Sequence, residues 1–188
     1  YGPRALGNRS ILADPLDKNV QEKLNLKIKL RENFRPFAPA VMADKFHEYF
    51  DFESNNDLSV SPYMLFVSKV KGFEKSDIKF NDWRDMLKNI KSPLPGVTHV
   101  DGTARVQTVH PEINENFYNL ISEFNYLTNC PVVINTSFNV RGEPIVESPS
   151  QAYSCFMSTD MDYLILENFL ISKKNQKAFI KKNRFDLD

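Results

Sequence analysis

Apolar residues recur every three or four positions in some stretches and fall in short alternating or continuous runs elsewhere. These changes of period divide the chain into elements. Val20, Leu24 and Ile28 among charged neighbours predict a short amphipathic helix over 18–30. Ile113, Phe117, Leu120, Ile121 and Phe124 predict a second helix opened by Pro111. Ser148-Pro149 has the chemistry of a helix start and predicts a third, running to about Ser158. Residues 39–42 and 64–70 are predicted as strands, and 97–109 alternates around a turn at Asp101-Gly102. Residues 131–134 form a continuous apolar run, the mark of a strand buried on both faces. A hairpin is predicted from 163–166 and 169–171 around Glu167-Asn168. Strands alternating with helices imply an α/β domain with a mixed, twisted sheet flanked by helices. The charged stretch 73–95, with Trp83, is read as a surface excursion. The basic tail 173–184, with Phe179 and Ile180, is read as a docked or frayed helix that solvates a face.

Composition narrows the function classes. The chain has 188 residues, 41% hydrophobic and 26% charged, which suits one soluble globular domain. Its 24 basic and 24 acidic residues cancel, so no whole-molecule field favours nucleic acid or a membrane surface. Cys130 and Cys155 are expected to be buried free thiols of a reducing cytoplasm. No apolar run has the length of a membrane span, and the expected location is cytoplasmic. The opening Tyr1-Gly2-Pro3-Arg4 reads as the middle of an active loop, so the chain is expected to be a fragment with a partner domain on its N-terminal side. The oligomeric state is left open.

Four clusters carry candidate chemistry. In 2–12, Gly2 and Gly7 permit tight turns while Arg4 and Arg9 present guanidiniums that match phosphate or carboxylate bidentately. In 27–40, Lys29, Arg31 and Arg35 adjoin Phe34, Pro36, Phe37 and Pro39. Arg35 in particular is expected to be poorly hydrated and ready for an anion. In 97–108, Arg105 re-enters a strand after the Asp101-Gly102 turn. His99, Asp101 and His110 do not make a closed metal-ligand set, and hydrogen-bonded strand histidines are the default. In 131–144, the buried strand leads into Asn135, Thr136 and Ser137 at its carboxyl end, where open α/β sheets bind ligands, and a turn follows at Arg141-Gly142. Asn8-Arg9-Ser10 and Asn135-Thr136-Ser137 also fit a glycosylation acceptor, a reading rejected because the second ends a buried strand. Cations from separate segments with neutral donors, and no nucleophile–base set, suit phosphoryl or nucleotidyl chemistry. There is no Walker loop or dinucleotide-binding glycine fingerprint.

GPRALGNRSILADP at 2–15, IKLRENFRPFAPAV at 28–41, THVDGTARVQTV at 98–109, NTSFNVRGEPIVESP at 135–149 and CFMSTDMDYLILEN at 155–168, taken together, resemble the C-terminal domain of NodU/CmcH-type O-carbamoyltransferases. The resemblance implies a YrdC-like fold that binds carbamoyl phosphate and ATP, with Mg²⁺, and forms carbamoyl-adenylate. It implies transfer to an acceptor hydroxyl by an N-terminal ASKHA-type domain of the same polypeptide, where a metal such as iron belongs. It gives catalytic roles to Lys29, Arg35 and Arg105 and substrate contacts to Arg4, Arg9, Asn135, Ser137 and Arg141. This domain has no metal ligands in that reading, and neither nucleic acid nor membrane is a partner. The alternatives are a threonylcarbamoyl-adenylate synthase-like enzyme and an RNA-binding YrdC-type module.

Overall fold

The computed structural model describes residues 5–51, 61–75 and 90–177. The elements run β1 (Ser10–Ala13), α1 (Val20–Lys23) continued by a π-helix (Leu24–Lys29), β2 (Ala38–Met42), α2 (Phe46–Tyr49) and β3 (Phe50–Asp51). They continue with β4 (Val67–Val70), β5 (Thr103–Arg105), β6 (Gln107–Val109), α3 (Glu115–Thr128), β7 (Val132–Ser137), α4 (Pro149–Ser158), β8 (Tyr163–Leu166) and β9 (Phe169–Ser172).

The main sheet has the order β1-β7-β2-β6. β7 is antiparallel to both neighbours, with Ser10 opposite Ser137 and Ala38 opposite Asn135, while β6 lies parallel to β2 with Gln107 beside Ala40. The domain is thus α/β with a mixed sheet. Alternation along β7 sends its side chains to two cores. Val132 and Ile134 join Ile11, Val41, Leu24 and Phe156 on one face, and Val133 joins Ala40, Val109, Phe117 and Ile121 on the other. The π-helix and α4 contribute to the first core and α3 covers the second, so helices flank both faces. A second sheet, β3-β4-β5, is antiparallel, and β8 pairs with β9 as the expected hairpin.

The third helix starts where Ser148-Pro149 places it: the Ser148 hydroxyl accepts from Gln151 N–H at 3.3 Å. Elsewhere the boundaries move. The second helix begins at Glu115 rather than Pro111, because the Asn114 side chain accepts from Phe117 N–H at 3.1 Å and is the better cap. The strand-like alternation expected over 97–109 around the Asp101-Gly102 turn yields two strands, both after that turn: β5 in the second sheet and β6 in the main one, separated at Val106. The helix expected over 18–30 widens into a π-helix after one turn and ends at Leu30, whose left-handed backbone (φ 52°) lets its N–H reach Asn25 O.

Cys130 and Cys155 are both buried and free. Among the described residues no helix is long and apolar enough to cross a membrane. Arg4, Trp83 and the tail beyond residue 177 lie outside the described residues. The ends of the expected excursion are joined by a bridge between Glu74 and Lys91.

Candidate functional site

Strand direction brings the sequence clusters together. Because β7 runs antiparallel to β1 and β2, its carboxyl end, Ser137, lies at the edge where β1 and β2 begin. β6, parallel to β2, begins there too. Arg9 immediately precedes β1, Arg35 lies three residues before β2, Arg105 two before Gln107, and Arg141 four after Ser137. The edge at the carboxyl end of β7 is where its partners in the main sheet offer their amino ends.

Lys29 is the anchor of this edge. It is 3% exposed, and its Nζ donates to Ser137 O at 2.5 Å, Ser137 Oγ at 3.2 Å, Asn139 O at 3.0 Å and Asn139 Oδ1 at 2.8 Å. The Ser137 hydroxyl donates to Asn139 Oδ1 at 2.6 Å, Asn139 Nδ2 donates to Glu143 O at 2.8 Å, and Arg141 N–H reaches Lys29 O at 3.0 Å. One ammonium thus fixes the loop after β7. Burial, reinforced by the charge of Arg31, pushes the Lys29 ammonium down to about 7.

The loop before β2 is braced by Asn25, which is fully buried in the π-helix. Its Nδ2 donates to Asn33 O at 3.1 Å and Arg35 O at 2.9 Å, and its Oδ1 accepts from Arg31 Nε at 2.7 Å. The desolvated, ring-flanked guanidinium expected at Arg35 is instead that of Arg31, which stands 5.0 Å over Phe37. Arg35 is exposed, because its backbone carbonyl, not its side chain, turns inward to Asn25. Glu32 faces both remaining cations of this loop pair, 3.2 Å from Arg141 Nη1 and 4.0 Å from Arg35 Nε. A hydrogen bond to its own backbone amide, then Arg141, Arg35 and Arg31, hold its carboxyl below the usual range.

Arg9 is half-buried, its Nη1 donating to Val146 O at 3.2 Å. Arg105 is exposed on β5 opposite Val67. Asn135 is 1% exposed; its Nδ2 donates to Gln107 Oε1 at 2.6 Å, and its Oδ1 has no partner. His99 and His110 bond Thr103 and Thr108, each at 3.1 Å, and Asp101 Oδ1 accepts from Thr103 N–H and hydroxyl. Among the described residues no three His, Cys, Asp or Glu side chains cluster as a metal site.

Asn25, Gln107 and Asn139 were missed by sequence reasoning. Asn25 and Lys29 sit one position after Leu24 and Ile28, so two polar residues flank the apolar stripe at its own spacing. That was the available signal for buried, structural polarity. Gln107 and Asn139 gave none, since the Asn135 that Gln107 meets and the Lys29 that Asn139 meets lie 28 and 110 residues away in sequence.

Comparison with known proteins identifies the frame for this edge. Residues 1–173 match the family described as Carbamoyltransferase C-terminus. The chain is 50% identical over 182 residues, 94% of its length, to an uncharacterized protein of Synechocystis, covering 28% of that protein. It is 41% identical over 174 residues to nodulation protein NolNO of Sinorhizobium fredii, with 93% and 23% of the two chains covered. It is 38% identical over 153 residues to 3'-hydroxymethylcephem-O-carbamoyltransferase of Amycolatopsis lactamdurans, with 79% and 24% covered. The chain thus spans about a quarter of the length of these relatives. On residues 1–173 and on these likenesses, the chain belongs to the carbamoyltransferase C-terminal family, shared with NodU-, NolO- and CmcH-type proteins.

Proposed function

We propose that this domain binds carbamoyl phosphate and ATP and forms carbamoyl-adenylate, within a YrdC-like fold, as the activating half of an O-carbamoyltransferase of the cytoplasm. The observation that carries the reading is the shared sheet edge, where Arg9, Arg35, Arg105 and Arg141 enter from four segments and Glu32 is the acidic side chain paired with two of them. Guanidiniums on that scale want a polyanion, and the exposure of Arg35, Arg105 and Arg141 leaves those three able to reach one. A relative named 3'-hydroxymethylcephem-O-carbamoyltransferase supports the carbamoyl group as the cargo.

The atoms balance with one water. Carbamoyl phosphate loses phosphate to water, the resulting carbamate oxygen attacks the α-phosphorus of ATP, and pyrophosphate leaves. Arg35 and Arg105 would hold phosphoryl oxygens and neutralise charge as the pyrophosphate departs. Ser137 and Asn135 would orient the carbamoyl end, with Arg4 and Arg9 on the substrate phosphates. Lys29 serves the same chemistry by holding Ser137. Mg²⁺ fits as part of the ATP complex, since it retains waters and takes phosphate oxygens with few carboxylates. The metal-dependent transfer, with iron as our reading, would belong to an ASKHA-type domain of the same polypeptide.

Pyrophosphate release measured with ATP and Mg²⁺, with and without carbamoyl phosphate, tests this. Release is expected only with carbamoyl phosphate. Equal release without it would assign the domain to another chemistry.

A further inference from the structure

Resting on the carbamoyl phosphate reading, we infer that Gln107 is a positioning residue that fixes the Asn135 amide with its carbonyl oxygen turned to the ligand. The pair thereby selects an acyl phosphate bearing an N–H donor.

The polarity of the pair follows from one backbone atom. Gln107 Nε2 donates to Leu6 O at 3.4 Å, and a main-chain carbonyl can only accept. Gln107 therefore shows its oxygen to Asn135, which must answer with Nδ2 at 2.6 Å and leave Oδ1 without a partner. Both side chains are buried, at 4% and 1% exposure. An orphan acceptor in such a place is costly unless a donor arrives.

The sheet is shaped for this contact. Asn135 lies opposite Ala38 and Gln107 beside Ala40, so the two amides meet across β2 above alanines on one face. Val133, two residues before Asn135, packs on that face with Phe117 and Ile121, and Ser137 follows two residues later. The face therefore runs from apolar under α3 to polar at the edge with the cations. Leu6 is fixed in turn: Gly7 has φ 103° and an added Cβ would stand 2.4 Å from the Phe117 ring, so only glycine lets this segment lie so close.

Carbamoyl phosphate and acetyl phosphate differ by an amino group in place of a methyl, and only the first can donate to Asn135 Oδ1. Calorimetric titration of the protein with each, and with inorganic phosphate as the anion-only baseline, reads the preference. Carbamoyl phosphate is expected to bind about tenfold tighter or more than acetyl phosphate, since a site built for an N–H penalises the analogue without it. Gln107→Met keeps the length and removes the amide. It should bring the ratio to within about twofold and leave inorganic phosphate affinity unchanged. Equal affinities for the two acyl phosphates in the unsubstituted protein overturn the inference and leave the anion site standing. An undiminished preference in a Gln107→Met protein with native circular dichroism overturns it as well. Binding of neither carbamoyl phosphate nor inorganic phosphate overturns both the inference and the reading beneath it. The comparison in the unsubstituted protein decides the matter even where the variant does not fold.

Discussion

Lys29 Nζ stands 2.8 Å from Asn139 Oδ1, a side chain that approaches it from 110 residues further along the chain. That contact ties the π-helix to the loop after β7 and sets two of the sequence clusters against each other. The remaining cations are held differently. Arg35 and Arg141 share Glu32, Arg105 lies two residues before β6 begins, and all three are exposed, so the buried charge shapes the site and the exposed ones are available to a ligand.

Arg35→Ala and Arg105→Ala should each weaken pyrophosphate binding by about 10- to 150-fold, the range for a lost charge-assisted contact of about 1.5–3 kcal/mol. Their melting temperatures should stay within about 3 °C of the unsubstituted protein, because neither exposed side chain contributes packing. Calorimetric titration and thermal melts on the same samples check both. Unchanged affinity in both variants would remove them from the site.

Glu32 competes with any anion for Arg35 and Arg141. Glu32→Gln should therefore tighten pyrophosphate binding by about threefold at low salt, a small effect because the pairs are exposed. The gain should shrink at about 0.5 M salt, where the screening length falls to about 4 Å, comparable to these separations. A weaker-binding Glu32→Gln protein would show that the carboxylate orders the arginines instead of masking them.

Much of this architecture was legible because it rests on local chemistry. The Ser148 cap, the 131–134 run and the Glu167-Asn168 turn each announce themselves within a few residues. What was illegible depended on partners far apart in sequence. Nothing near Arg31 and Arg35 says which guanidinium will lie over Phe37; Asn25, reached through the widened helix, decides it by capturing the Arg35 carbonyl. The continuous apolar run likewise announces a strand buried on both faces, but not its direction: a strand covered by helices on both sides reads the same whether its neighbours are parallel or, as here, antiparallel. The cation clusters were visible one by one. Their meeting at one edge follows from strand direction, which composition does not encode.

Lys29 makes the fold itself sensitive to pH. Four acceptor contacts favour its ammonium, while burial and Arg31 oppose it, and the opposition wins: the folded-state value is about 7. In the unfolded chain the same group keeps its proton up to about 10.4. Between these values the unfolded state binds more protons, so stability rises with pH. The cost of burying the charge is complete below pH 7 and disappears above about pH 10.4. From pH 7 to pH 9 the gain should be about 2 kcal/mol. Lys29→Met removes the titrating group while keeping a long side chain. Cys130 and Cys155, whose thiols burial holds at about 11, stay protonated in the folded protein across this range; Cys155 also feels the Lys29 charge, and losing that charge pushes its thiol further up, so neither alters the trend. Urea unfolding of both proteins at pH 7, 8 and 9 is the measurement. The stability of the unsubstituted protein relative to Lys29→Met should climb across the series. A difference that stays flat would mean that the Ser137 and Asn139 contacts hold the ammonium at its ordinary value, and that Lys29 remains a fixed positive charge at the base of the site.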